Sequence, residues 1–417
     1  LKTAVDENVS SQLLLTLAGA SVVAILFSIA AAQILLAAGL VVFLLQPRSW
    51  RWPPVVVPLG LFAAWTLVAK ISAQGLLSPS AQLRKFFVYL VLFVVFAAVR
   101  RPVEARWILM GACSAGALSA LWSFQQFARK VLAAEAAKVD FYQFYVGART
   151  TGFMSHWMTF SAEMAMVVAV ASAYLLFGPR ERRWMAVAAA SAVLTSVALV
   201  LNLTRGAWLA ALASLVYLLA AWRPKWLLAI PVAGAIGFLA APHAVRERVI
   251  SFVRPHGERD SNLHRYVTWR TGVAMVQAKP LLGLGPEMVE RRFEEFVPPD
   301  IPKPLPEGWY GHLHNLYLQI AAERGLPALG LLLWLLASFA RHWIRGLRRL
   351  KPGRGEERFV LHAALAVLAG VFVNGLFEYN LGNSEPLHLF LGVSGCAYAV
   401  YASCASSSFA ASQRATV

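Results

Sequence analysis

Arg205 interrupts two apolar runs in "SVALVLNLTRGAWLAALASL". A guanidinium beside such sequence is costly, on the order of 2.5 to 3.5 kcal/mol at a bilayer centre and less near its surface. Two uses offset that cost: a side chain that snorkels to an interface, or a planar fork that grips phosphate-type oxygens and never loses its charge. His312 and His314 in "HLHNLYLQIAAERG" titrate near neutral pH, which suits a general base or an orienting group; interfacial polar tips are the plainer alternative. As a His-x-His metal pair they lack a third ligand nearby in sequence. Glu378 in "FEYNLGNSE" is either a rival base or a helix-end carboxylate, and Arg84 and Lys85 are either phosphate contacts or headgroup anchors. The only aspartates, Asp6, Asp140, Asp260 and Asp300, lie far apart with no Asp-x-Asp pair to hold a divalent cation, so neither metal nor cofactor is expected.

The elements that must position these residues are membrane helices. The 417 residues are 59% hydrophobic and only 14% charged, far from the composition of soluble domains. Apolar runs of roughly the length needed to cross a core of about 30 Å recur along the chain, and backbone in lipid must satisfy itself, so an all-α polytopic protein follows. About twelve spans are expected: 12–29, 30–46, 53–71, 86–99, 107–127, 157–177, 184–201, 206–222, 226–241, 325–341, 359–378 and 386–404. The apolar interval 12–46 is divided because a single helix of that length would overshoot the membrane. Residues 1–241 then hold nine spans, 242–324 form a large loop with short helices, and 325–417 hold three more. Cys113, Cys396 and Cys404 fall inside spans and read as small buried hydrophobes. The opening "LKTAVDENVS" has no charged leader followed by a small-residue cleavage site, so a trimmed start is expected and no signal peptide.

Short-loop lysines and arginines set the orientation. With the amino terminus inside, the inner loops hold Arg48 and Arg51, Arg100 and Arg101, Arg182 and Arg183, Arg223 and Lys225, and the cluster around Arg348. The net charge of +17 therefore needs no nucleic acid; anionic lipids and orientation signals account for it. The opposite, external or periplasmic face receives Lys70, Arg84, Lys85, Arg205, a polar insertion at 128–156 and the long loop at 242–312. Within that loop "SNLHRYVTWRTGVAMVQAKP" has a capped start and a Lys-Pro stop, and as a helix it places Arg265 and Trp269 on one face. By itself Arg265 reads as a solvated loop arginine. The "GLG" at 283–285 follows no strand and is not a dinucleotide fingerprint. "HLHNLYLQIAAERG" reads as an amphipathic helix meeting the membrane, closed by Gly325 and Pro327.

"LTRGAW" at a turn between spans, the large loop in the second half, "HLHNLYLQIAAERGLPALG" and "FEYNLGNSE" together make the chain similar to the O-antigen ligase and polymerase superfamily of bacterial envelope enzymes. Among its members it resembles the lipopolysaccharide O-antigen ligases, although Asn383 stands where that pattern leads one to expect an aspartate. The resemblance implies a fold like the type C membrane glycosyltransferases, in the bacterial inner membrane with its active site facing the periplasm. It implies metal-independent, inverting transfer of a glycan from undecaprenyl diphosphate to a sugar hydroxyl of lipid A-core, by a monomer. On that resemblance His314, Arg205 and Arg265 are the catalytic set, and Arg84, Lys85, Glu378 and Asn315 join the two arginines in binding substrate. O-antigen polymerases and protein O-oligosaccharyltransferases use the same donor with another acceptor. A lipid-linked-oligosaccharide transporter is a different class, but no half-to-half repeat is detectable and the polar insertions fall on one face only.

Overall fold

The computed structural model describes residues 2–46, 50, 52–76, 78, 85–254 and 261–414, which form α-helices and short 3-10 turns with no strand among them. In chain order the helices are α1 Lys2–Ala24, α2 Ile29–Leu44, α3 Val56–Gln74, α4 Phe86–Ala98, α5 Pro102–Ala137, α6 Phe141–Val146, α7 Trp157–Phe177 and α8 Arg182–Leu201. There follow α9 Arg205–Trp222, α10 Ala229–Ala240, α11 His243–Ile250, α12 Ser261–Ala278, α13 Met288–Arg292, α14 Leu316–Arg349, α15 Gly355–Asn374 and α16 Ser384–Arg414.

Among the described residues, seven helices are long and apolar enough to cross a membrane: α3, α5, α7, α8, α9, α14 and the Ser384–Cys404 part of α16. Four shorter apolar helices, Val9–Ala24, Ile29–Leu44, Phe86–Ala98 and Pro224–Ala240, also fall on expected spans, as does α15. Length sets four of the remaining expected spans apart from these seven; α15, at 20 residues, is long enough but opens on the polar run Gly-Glu-Glu-Arg. The 13 residues of α4 rise only about 20 Å, short of a hydrocarbon core. The uninterrupted interval 12–46 does divide, at Ser28, whose extended backbone and side chain cap the amide of Ala31 at the start of α2. The expected polar insertion after residue 127 begins instead as more helix: α5 runs 36 residues because Gln126, Arg129, Lys130 and Glu135 are good helix formers, and it stops at Lys138 in the left-handed region. Lys70, one of the outer-face cations, turns back on its own chain and donates to the carbonyls of Gly75 and Leu76 at 2.7 and 2.8 Å, neutralising the end of α3.

The core gathers around α7, which is buried along most of its length and packs against α5, α8, α9 and α15. Small residues let α9 and α15 approach closely. Ser214 Oγ donates to the Ala366 carbonyl across that interface at 2.8 Å, and a Cβ on Gly370 would stand 2.6 Å from Ser214 Oγ. All three cysteines are buried and none is in a disulfide.

Beyond α10 the chain builds a small core of its own, with Val267, Met275, Leu284, Val289, Phe293 and Leu313 packed on the buried start of α14. That docking explains a break in α14. Gly325 has φ 80 and ψ 170, and its Cα approaches the Leu281 carbonyl so closely that a Cβ would lie 1.9 Å from the oxygen. Amides of Leu284 and Gly285 reach the carbonyls of Ala322 and Glu323 at 2.8 Å, and that of Leu326 reaches Pro280 at 2.7 Å. The helix stop expected at Gly325 and Pro327 is therefore present as a kink, locked by the loop that precedes it.

Gly370→Val should overpack the α9–α15 interface and cost about 1 to 3 kcal/mol. The expected outcome is a lower melting temperature in detergent by fluorescence-detected size exclusion, while Gly330→Val, with open space around it, melts like the wild type.

Candidate active site

Glu378 follows α15 in a tight turn, its amide bonded to the Asn374 carbonyl at 2.9 Å, and its carboxylate is buried. Oε1 accepts from Arg265 Nη2 of α12 at 2.7 Å, and Oε2 lies 3.1 Å from His314 Nδ1. Three distant segments thus meet at one carboxylate: the long loop, the approach to α14 and the α15–α16 connection. Burial pushes the carboxyl up, but the charges of His314 and Arg265 and the histidine's hydrogen bond outweigh it and hold the group down to about 2. An ionised Glu378 assigns the Nδ1 proton to His314, leaving Nε2 with no protein partner among the described residues. His314 adopts φ 47, left-handed for a bulky residue, with its amide donating to His312 Nδ1 at 3.1 Å.

These groups face a cavity of about 1040 Å³. His264 and His312 flank His314 with ring centres 5.1 and 4.1 Å away. Burial, and next to it the charge of His314, pushes His264 down to about 4 and His312 down to about 3, so both are neutral at pH 7. The lining also includes Lys85, Arg149 and Arg248. Lys85 donates to the Gly382 carbonyl, and burial lowers its ammonium below the ordinary value. Lys85 and Tyr379 also border a neighbouring apolar pocket lined by Leu59, Phe62, Phe86 and Leu332. All the cavity-lining segments belong to loops and loop-proximal helix ends that the lysine and arginine count assigns to a single face.

Not every expected site residue arrives here. Arg265, His314, Glu378 and Lys85 do; Arg84 lies outside the described residues. Arg205 opens α9 and is buried, but its guanidinium points into the loop rather than the cavity: Nη1 donates to the Ser251 carbonyl, Nη2 to Asn262 Oδ1 at 2.5 Å, and the plane lies over Phe252. In this arrangement Arg205 staples the long loop to the membrane helices. Asn315, expected to touch substrate, is committed to structure: its side chain caps α14 by accepting from the Leu318 amide at 2.9 Å and donates to the Leu376 carbonyl at 3.1 Å. The missing third ligand for a His-x-His metal pair also has a correction. Ligand atoms of His312, His314 and Glu378 lie within 4.8 Å of one another and could hold a metal ion. A tetrahedral zinc would need them about 3.4 Å apart and would compete with Arg265 for Glu378, so the set fits a metal only after rearrangement.

Sequence reasoning missed Arg149, Arg248 and His264. Arg248 Nε donates to the Leu203 carbonyl at 2.8 Å, and Arg149 Nη1 to Thr204 Oγ1 at 3.3 Å, so both are organised by the turn that carries Arg205. That turn is itself knotted, with Thr204 Oγ1 donating to Asn202 Oδ1 and Asn202 Nδ2 to the Thr150 carbonyl at 2.7 Å.

Because the Glu378 carboxyl is depressed, it contributes stability that is complete above about pH 4.5 and is lost as pH falls toward 2. Glu378→Gln should therefore flatten the decline of melting temperature across that window; a decline as steep as the wild type's would remove Glu378 as its source.

Residues 190–335 match the family model described as O-antigen ligase, which supports the O-antigen ligase superfamily, a ligase- and polymerase-like class of glycosyl-transfer enzymes. The matched segment contains Arg205, Arg265 and His314 and stops before Glu378. No curated protein matches the chain.

Proposed function

We propose that the protein transfers a glycan from undecaprenyl diphosphate to a sugar hydroxyl of lipid A-core, at the periplasmic face of a bacterial inner membrane. The observation that carries this reading is the His314–Glu378–Arg265 constellation in a cation-lined cavity beside an apolar pocket. The family match and the one-sided placement of the cavity segments support it.

In this reading the acceptor hydroxyl approaches Nε2 of His314, which takes its proton as the oxygen attacks the anomeric carbon. Glu378 holds Nδ1–H and stabilises the imidazolium that forms, as a carboxylate does for any histidine base that must become charged. The new bond joins the acceptor oxygen to the anomeric carbon while the bond from that carbon to the diphosphate oxygen breaks, so the departing group gains negative charge. Cations on the cavity wall stabilise that charge where water is scarce. Attack opposite the leaving group inverts the anomeric centre. Arg265 fixes the carboxylate, and Arg205 holds the loop that carries Arg265. The apolar pocket at Lys85 and Tyr379 suits the first isoprene units of a lipid-linked donor.

His314→Ala should lose glycan transfer by about 10²- to 10⁴-fold in protein that still elutes as a folded species, though it melts lower because Glu378 loses a partner; wild-type rates would remove His314 as base. Reconstitution with an undecaprenyl diphosphate glycan and either lipid A-core, a second donor molecule or an acceptor protein tests the reaction. The expected product forms with lipid A-core, with EDTA present. Product only with the second donor or with protein identifies a polymerase or a protein glycosylating enzyme, dependence on added zinc or magnesium assigns the His312, His314 and Glu378 set to a metal, and lipid movement without product identifies a transporter.

A further inference from the structure

Trp309 is 57% exposed and lines the cavity, although an indole is a large apolar surface that a folded chain normally withdraws from water. Its position is fixed from both sides. The next residue, Tyr310, turns inward against Phe293 and His264, and its hydroxyl donates to the Pro306 carbonyl at 2.6 Å. The preceding Gly308 lies on the His264 ring, where a Cβ would come within 2.3 Å of Cδ2. Trp309 itself rests on Gly311, where a Cβ would come within 1.8 Å of the indole Cζ2, and it meets the His312 ring at 89° with centres 4.8 Å apart. A glycine beneath the ring and a pinned backbone around it make the exposed indole a placed surface, not a swinging one.

A pyranose ring is the ligand whose chemistry matches such a surface. Its faces carry C–H bonds and are apolar, while its hydroxyls point outward around the rim. The negative face of an indole attracts those weakly positive C–H groups, and stacking removes both apolar faces from water. The rim hydroxyls then need hydrogen-bond partners, and Glu307, Asn380, Asn383 and Glu385 line the same cavity. An isoprene chain would leave those carboxylates and amides unanswered. His312 stands between the indole and the candidate base, its ring centre 4.1 Å from that of His314. A sugar stacked on Trp309 is therefore next to the base, and the sugar next to the base is the one whose hydroxyl loses a proton.

We propose that Trp309 is the stacking platform that positions the acceptor sugar, a role that rests on the glycan-transfer reading above. The shared chemistry is a pyranose face, which the donor glycan also offers, and the experiment separates the two.

Full-length protein in detergent is titrated with lipid-free core oligosaccharide, with lipid A-core and with an undecaprenyl diphosphate glycan, for wild type, Trp309→Ala and Trp309→Phe, and melting temperatures are recorded. Trp309→Ala should melt like the wild type, since the side chain is exposed, and should bind both core ligands about 5- to 50-fold more weakly. Trp309→Phe keeps an aromatic face and should recover most of that loss, while the affinity for the donor stays at the wild-type value in both variants. Unchanged core affinity in Trp309→Ala overturns the proposal and assigns the indole to the lipid headgroup region. A weaker donor with an unchanged core ligand overturns the assignment to the acceptor. A lower melting temperature with parallel loss of every ligand, not restored by phenylalanine, makes the residue structural and overturns it as well. Wild-type protein that binds core oligosaccharide through Trp309 yet transfers no glycan sinks the transfer reading and leaves the sugar platform standing.

Discussion

A carboxylate taken out of water must find a partner for each oxygen or give up its charge. Glu378 keeps its charge by drawing Arg265 and His314 to opposite oxygens across separations of 113 and 64 residues. Much of the architecture around it serves that meeting. The Leu316 amide donates to the Gly375 carbonyl at 2.7 Å, Asn315 reaches Leu376, and Gly206 at the start of α9 leaves just enough room for Phe377. The kink at Gly325 lets α14 begin under the loop and continue in another direction, so the segment bearing His314 and the loop bearing Arg265 can both lie against the end of α15. Removing one member of such a buried set strands the others, which is why the three behave as a unit.

The turn "LNLTRGAW" belongs to the same economy of charge. A guanidinium at the first position of a helix faces the positive end of its dipole, so Arg205 gains nothing from α9 itself. Its stabilisation comes from carbonyl and amide oxygens of the loop, while Asn202, Leu203 and Thr204 behind it hold the segments bearing Arg149 and Arg248. One short turn therefore fixes three arginines, of which two face the cavity.

The helices were legible because apolar runs announce themselves and lipid leaves the backbone no other option. Their ends were less so: hydropathy falls after residue 127 while helix propensity does not, and α5 follows propensity. Arg265, His314 and Glu378 could each be suspected from type and place, but nothing local tells that Glu378 joins them, and the third ligand that a His-x-His pair lacked was this same distant residue. Arg149 and Arg248 were invisible for a plainer reason. A cation in a polar stretch is normally solvated, and only tertiary packing reveals that these are buried. Asn315 shows a different ambiguity, since a polar residue beside a candidate base is also the natural cap of the next helix.

A cavity of about 1040 Å³ is at the upper end of what encloses one small-molecule ligand. On the proposed glycan-transfer reading it has room for a diphosphate and the sugars nearest to it, not a polymer, so a long glycan would leave most of its length outside. A protein that senses only the linkage end of such a chain has no ruler: donors carrying few or many repeats would look alike to it, and any preference for glycan length on the finished product must be imposed before the chain reaches this site.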